Sequence, residues 1–331
     1  MSTIRYGHKP GVDARGATGR MDPWELPRHL SEGMSTIQWS GGGIPELVPD
    51  SGSVVDQNDI LQAGQILDGK YEIRGVLGSG GMGQVFEARD LGLNRVVAVK
   101  IAWPHIGADP LRREAQVLAA FRDPALATVH ALDSADGLDY LVMERISGST
   151  LADLLVRRKG VPMPVGEGVE LLESLCAALA PLHASGLAHA DLKPANIMVA
   201  PGGRLVLLDF GIARIEQLSA GGRRVSGSPH YMAPEAVCGK IQPGQAHLVD
   251  LYALGVIAFV LFTGAPPFDN ENPVALMMEH VHNPPPRLTD RRAEVPAALA
   301  QLVADLLAKD PADRPADVDG ARADLKRLRP R

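Results

Sequence analysis

The sequence predicts an α+β fold in which strands come first and helices follow. From about Ile60 to Ile101, three runs suited to strands are separated by Gly-rich or charged turns. After Leu151 the apolar residues recur at helical spacing almost to Leu328, and no internal repeat is visible. At 331 residues the chain can bury a substantial core, as one large domain or two modest ones.

The strand runs are Tyr71 to Leu77, Gln84 to Arg89, and a third that carries Val97-Ala98-Val99-Lys100 and ends at Ile101. Asp109 before Pro110 reads as an N-cap with proline at the first helical position, opening a helix from Pro110 to about Phe121. Its apolar stripe is Leu111, Ala115 and Leu118, and Glu114 falls on the same face. A buried carboxylate is costly without a cation, and Lys100 on the preceding strand is the expected partner. Leu138 to Met143 reads as a strand, and Leu151–Arg158 and Val169–Ser185 read as helices. A strand-turn-strand spans His189 to Gly211, followed by a loop rich in Gly, Arg and Ser from Gln217 to Ser228. The apolar run Leu251 to Phe262 is about half the length of a membrane span, so it predicts a buried helix.

Apolar content of 45% and charged content of 22% suit a soluble globular protein. A net charge of -6 argues against nucleic acid or an anionic membrane as main partner. Cys176 and Cys238 lack metal-ligand spacing and are expected to be free thiols, and a cytoplasmic location is expected. Residues 1 to about 58 are rich in Gly, Pro and Ser without sustained period, which predicts disorder. The sharper alternative is a docking or autoregulatory arm, with Trp24 and Trp39 as anchors and Thr18 or Thr36 as phosphorylation sites.

The chemistry concentrates in His189-Ala190-Asp191-Leu192-Lys193-Pro194-Ala195-Asn196 and, after it, Leu208-Asp209-Phe210-Gly211. Asp191 can accept a proton, Asn196 and Asp209 can hold metal ions, and Lys193 can neutralise a transferring phosphate: the inventory of phosphoryl transfer. Gly78-Ser79-Gly80-Gly81-Met82-Gly83 sits between two strands and opens no helix, which counts against a dinucleotide site. Ala233-Pro234-Glu235 lies 24 residues beyond Asp209. These groups, in this order, resemble the signature set of protein kinases. Asp-Leu-Lys-Pro around Lys193 is the serine/threonine form. The chain looks most like bacterial serine/threonine protein kinases of eukaryotic (Hanks) type, over roughly residues 60 to 328.

The resemblance implies a bilobal domain over residues 59–328: an antiparallel-sheet lobe with one helix at about 67–146 and a larger, mostly helical lobe at about 147–328. It implies ATP with Mg²⁺, or Mn²⁺ in its place. Leu77, Gly78, Ser79, Gly80, Gly81, Met82 and Gly83 would cover the nucleotide, with Val85 and Ala98 over the adenine. Lys100, held by Glu114, would reach the α- and β-phosphates. The Glu144 carbonyl and Ile146 N–H would pair with adenine, Met143 would border the back pocket and Met198 would form the floor. Asp191 would act as base and Lys193 on the phosphate, while His189 serves packing. Asn196 and Asp209 would hold the metal. Gly227 to Glu235 resembles the substrate-docking end of the activation segment, which implies protein substrates with Ser/Thr hydroxyls, the chain itself included. Phosphopeptide-binding and phosphatase partners and a role in bacterial signalling go with that class. Glu235 is expected to meet Arg314, and Asp250 to bond the catalytic-loop backbone.

Three departures stand out. Ala190 replaces the arginine that receives an activation-loop phosphate in regulated kinases, which predicts activity weakly dependent on phosphorylation there, Ser219 and Ser226 included. Thirteen residues separate Lys100 from Glu114, which predicts a hinged or differently held helix. Ser228 stands where threonine is usual, with the hydroxyl kept. The competing readings are a nucleotide-binding pseudokinase scaffold and a small-molecule phosphotransferase.

Overall fold

The computed structural model describes residues 59–80, 83–210 and 228–329, with the backbone of 36–38, 46–48 and 224–225. Two short strands come first, β1 (Thr36–Gln38) and β2 (Glu46–Val48). The first lobe is built on β3 (Ile66–Leu67), β4 (Tyr71–Gly80), β5 (Gly83–Asp90), β6 (Arg95–Ala102), β7 (Val129–Ala135) and β8 (Leu138–Glu144). They form one antiparallel sheet in the order β3-β4-β5-β6-β8-β7. β6 is rich in β-branched residues, and its period of two divides its buried side chains between two cores. Val97, Val99 and Ile101 pack with Phe86, Tyr140 and Val142 on one face. Ala98 and Ala102 join the larger core on the other, and Lys100 shares that inner face. Register shifts near Gly75 and Gly78 interrupt the β4–β5 ladder, where an unpaired residue bends a strand. Gly83 has no alternative: a Cβ there would lie 1.9 Å from the Ile101 carbonyl oxygen.

Helix α1 (Asp109–Ala120) crosses the inner face and buries Leu111, Glu114, Ala115 and Leu118. Two expectations are corrected here. The helix starts one residue early, because the Ala108 carbonyl already accepts from the Arg112 N–H at 2.9 Å. Asp109 is therefore a first-turn acid favoured by the helix dipole, and no side chain caps the end. The short connection from Lys100 leaves the helix continuous and close to the strand, without a hinge, because a salt bridge ties the two together.

The second lobe opens with β9 (Ser149–Thr150), α2 (Leu151–Arg158) and α3 (Val165–Ala184), then β10 (Ile197–Val199) and β11 (Leu205–Leu207). A two-residue strand, β12 (Arg224–Val225), is followed by α4 (Pro234–Val237) and α5 (His247–Thr263). The chain ends through α6 (Pro273–His282), α7 (Leu288–Arg291), α8 (Ala297–Leu306) and α9 (Val318–Arg327). Thr150 starts α2 with a capping box to Asp153. Every residue of α5 from Leu248 to Phe262 is buried, as its apolar run predicts. Gly264 stops it at φ 78°, where a Cβ would strike the Gly160 carbonyl oxygen.

Strands β1 and β2 fall inside the segment for which the sequence predicts disorder. β1 pairs antiparallel with both β2 and β12, a partner far along the chain that no local pattern reveals. Trp24, Trp39, Thr18, Ser219 and Ser226 lie outside the described residues. Among the described residues no helix is long and apolar enough to cross a membrane. Cys176 and Cys238 are free.

Candidate active site

The loop between α3 and β10 is fixed from below by Asp250, in the first turn of α5. Its carboxylate accepts the N–H groups of His189 (2.7 Å) and Ala190 (2.9 Å), and His183 Nε2 lies 2.9 Å away. Burial pushes the Asp250 carboxyl up, but the bonds from His183 and Ala190 outweigh it and hold it below the usual range. The clamp matters because Ala190 stands at φ 63°, a left-handed conformation that a Cβ makes unfavourable.

His189 is fully buried, and burial pushes its pKa below the usual histidine value. Its Nε2 lies 2.9 Å from the Leu208 carbonyl, its Nδ1 accepts the Asp191 N–H at 3.3 Å, and its ring packs on Phe210 at 4.8 Å. These partners put the ring proton on Nε2. The imidazole thus welds the loop to the strand end that carries Asp209.

Asp191 Oδ2 receives Asn196 Nδ2 at 3.0 Å and Lys193 Nζ at 2.9 Å. Lys193 Nζ also donates to Ser228 Oγ at 3.0 Å. A carboxylate, an ammonium and the hydroxyl of the 228–235 segment therefore form one connected chain. Across the cleft, Lys100 Nζ donates to Glu114 Oε2 at 2.6 Å and to Asp209 Oδ1 at 2.8 Å. Burial opposes the Lys100 charge, but Asp209 and Glu114 together raise its pKa above the ordinary lysine value. Lys100, chiefly, holds the Asp209 carboxyl below the usual carboxylate range. The Asp209 side chain remains 52% exposed, so oxygen is available to a ligand.

Above the cleft the β4–β5 hairpin pairs Gly78 with Val85, Ser79 with Gln84 and Gly80 with Gly83. Gly81 and Met82 lie outside the described residues. Val85 is opposite Lys100, and Ala98 is opposite Met143. Leu77 is 44% exposed at the mouth. Between the lobes, Glu144 uses its N–H on the Thr128 carbonyl and its carboxylate on Arg204, so its side chain is committed away from any ligand. Ile146 is buried beside it, and Met198 lies on β10 between β9 and β11.

A profile described as "Protein kinase domain" matches residues 71–323. The chain belongs to the protein kinase domain family. It is 36% identical over 278 residues to the serine/threonine-protein kinase PknB of Mycobacterium leprae, covering 79% of this chain and 43% of that protein. It is 35% identical over 281 residues to the serine/threonine-protein kinase pkn3 of Myxococcus xanthus, covering 80% of this chain and 50% of that one. The chain thus spans about half or less of the length of these curated relatives. The fold is similar to the PknI kinase domain of Mycobacterium tuberculosis, with TM-score 0.63 and 29% identity over 81% of this chain and 99% of that one.

In this kinase domain Glu235 is buried and meets Arg314 in a fork, at 2.6 and 2.8 Å, as expected. Two contacts carried no sequence signal. Trp103, past the end of β6, donates its indole N–H to the Gly80 carbonyl at 2.7 Å. Gln84 accepts the Ile60 N–H at 2.7 Å and donates to Asp59 at 3.1 Å, tying the start of the domain to the glycine hairpin. A metal fits what is present: the Asn196 amide nitrogen is spent on Asp191, which leaves an amide oxygen and the Asp209 carboxylate. Two oxygens suit Mg²⁺, which keeps much of its water.

Proposed function

We propose that this domain transfers the γ-phosphate of ATP to Ser/Thr hydroxyls of proteins. One observation carries the reading. Lys100 is bonded at once to Glu114 and Asp209, while the Asp191 carboxylate faces Lys193 and Ser228 across the same cleft. Phosphoryl transfer is mainly positioning and charge stabilisation, which this layout supplies.

In this reading the glycine hairpin, Gly78 to Gly83, covers the phosphates with backbone N–H groups, and Leu77, Val85, Ala98 and Met198 enclose the base. The backbones of Glu144 and Ile146 read its edge. Lys100 binds the α- and β-phosphates and Glu114 keeps it in place. Asp191 orients the substrate hydroxyl and takes its proton, and Lys193 offsets the charge on the transferring group. Asn196 and Asp209 would hold Mg²⁺, or Mn²⁺, which when bound would supply charge neutralisation to the transferring phosphate. Protein substrates are favoured over metabolites because Ser228, at the head of the 228–235 segment, bonds Lys193 of the catalytic loop. The whole protein's partners, its place in bacterial signalling and a cytoplasmic setting belong to the same proposal.

Asp191→Ala should lose about 10²- to 10⁴-fold in kcat on a protein substrate with labelled ATP and Mg²⁺, with nucleotide affinity retained. Equal phosphate incorporation by wild type and variant would defeat the reading and favour a scaffold that only holds nucleotide. Because Ala190 offers no cation to pair with an activation-loop phosphate, replacing Ser219 and Ser226 with alanine should leave turnover within a few-fold.

A further inference from the structure

Glu87 and Arg145 form a charged pair outside the residues of the kinase signature. Glu87 lies on β5, opposite Ala98 of β6, which in turn is opposite Met143 of β8. Directly opposed residues share a face, so Glu87 lies on the same inner side as Ala98, with Val85 two positions before it. A carboxylate on that side, 29% exposed, calls for a cation. Arg145, between Glu144 and Ile146, supplies it: its Nε donates to Glu87 Oε2 at 3.1 Å. The same guanidinium turns back on the chain, and its Nη1 donates to the Ile146 carbonyl at 2.7 Å. Held at two points, the planar group has one defined place.

Ile146 is thereby left with two unlike backbone groups. Its carbonyl is taken, whereas among the described residues no group accepts its N–H. Residues 145–147 form neither helix nor turn, and in extended chain one residue's N–H and C=O leave on the same edge. Along a purine's edge the 6-amino group, N1 and C2 follow one another. With the Glu144 carbonyl on the 6-amino group and the Ile146 N–H on N1, the Ile146 carbonyl falls beside C2. A plain C2–H asks nothing of that carbonyl. A 2-amino group is a donor, and it meets the Arg145 donors where it needs an acceptor. A donor left without a partner is costly, and such a mismatch gives specificity.

We propose that Arg145 is a specificity-determining residue, positioned by Glu87, that makes the site refuse purine nucleotides carrying a 2-amino group. This rests on the nucleotide-binding part of the reading above and deepens it. The guanidinium fills the one acceptor that a 2-amino purine, guanine included, would need at this edge. An unsubstituted C2 passes.

The test compares the full 331-residue chain with Arg145→Ala and Glu87→Gln. Calorimetry gives the dissociation constants of ATP, 2-amino-ATP and 2-chloro-ATP in the presence of Mg²⁺. In wild type 2-amino-ATP should bind about tenfold or more weaker than ATP. That ratio should fall below about threefold in Arg145→Ala and lie between the two in Glu87→Gln, where the guanidinium keeps one anchor. A ratio cancels any general loss of affinity or of folded protein. Chlorine adds bulk without donating, so the ratio for 2-chloro-ATP should move less than about twofold between wild type and either variant. A wild-type 2-amino ratio near one, or one that Arg145→Ala leaves unchanged, overturns the proposal. Chloro and amino ratios that move in parallel also overturn it, since bulk would then set the preference. A Glu87→Gln ratio equal to wild type overturns the positioning by Glu87. Wild type that binds none of the three nucleotides overturns the nucleotide reading and this inference together. The expected ratios in a protein that transfers no phosphate uphold this inference and defeat the transferase reading alone.

Discussion

At the scale of the residue, the side chains of the site hold one another, and contacts outside the recognised sequence set complete the arrangement. Lys100, Asp191, Asn196 and Asp209 were legible because the chemistry demands their types at fixed spacing. Trp103 was not, since a lone aromatic after a strand carries no signal of what it touches. Its indole N–H fixes the carbonyl of Gly80, the last described residue of the first arm of the glycine hairpin. Trp103→Phe keeps the ring and loses the donor, so KM for ATP should rise roughly two- to tenfold with kcat little changed. Steady-state kinetics would read this, and an unmoved KM would refute it. His280 is a second such residue. It is fully buried, and its Nδ1 lies 2.9 Å from the Tyr252 hydroxyl. Burial, helped by Lys309, pushes its pKa down to about 3. The unfolded chain takes up this proton below about pH 6.5 and the folded one does not. Stability is therefore full above that pH and falls towards pH 3, by at most about 1.4 kcal/mol per unit. Urea midpoints measured against pH should fall less steeply for His280→Phe than for wild type. Part of the slope stays, because burial depresses His189 and His230 as well.

At the scale of the element, the helices and the inner strands were readable because each buries one face or all of itself, and burial leaves a period. Helix α2 falls on Leu151–Arg158, as expected. Strand β7 escaped notice: it is an edge strand, half exposed, and Asp133 and Ser134 dilute its pattern. Strands β1 and β12 escaped for a different reason, since two or three residues become a strand only when a remote partner arrives. Short α4 depends on a remote contact too. Its Glu235 is buried and satisfied by Arg314, which also donates to the Leu248 and Ala308 carbonyls. Arg314→Ala should cost about 3–5 kcal/mol because it strands a buried carboxylate. Arg314→Lys should recover little, lacking the fork. Chemical denaturation would show both effects, and a loss under about 1 kcal/mol would contradict this account.

At the scale of the whole molecule, Lys100, Glu114 and Asp209 link the two lobes by polar contacts, alongside one apolar core that runs from Ala98, Leu111 and Leu118 to Leu207 and Phe210. That division was visible in the sequence as strands first and helices after. The pairing of β1 with β12 was not, because the composition of residues 1–58 looks unpatterned at every local window. One more consequence belongs to α5. All its sides are greasy, and Gly255 lets it press against Leu306 and Leu307, residues made some fifty positions later. During synthesis on the ribosome, that helix has no finished shelter until those leucines have left the exit tunnel. Any version of the polypeptide trimmed short of Leu307 inherits the same exposure permanently, and precipitation rather than a smaller working enzyme is what such trimming yields.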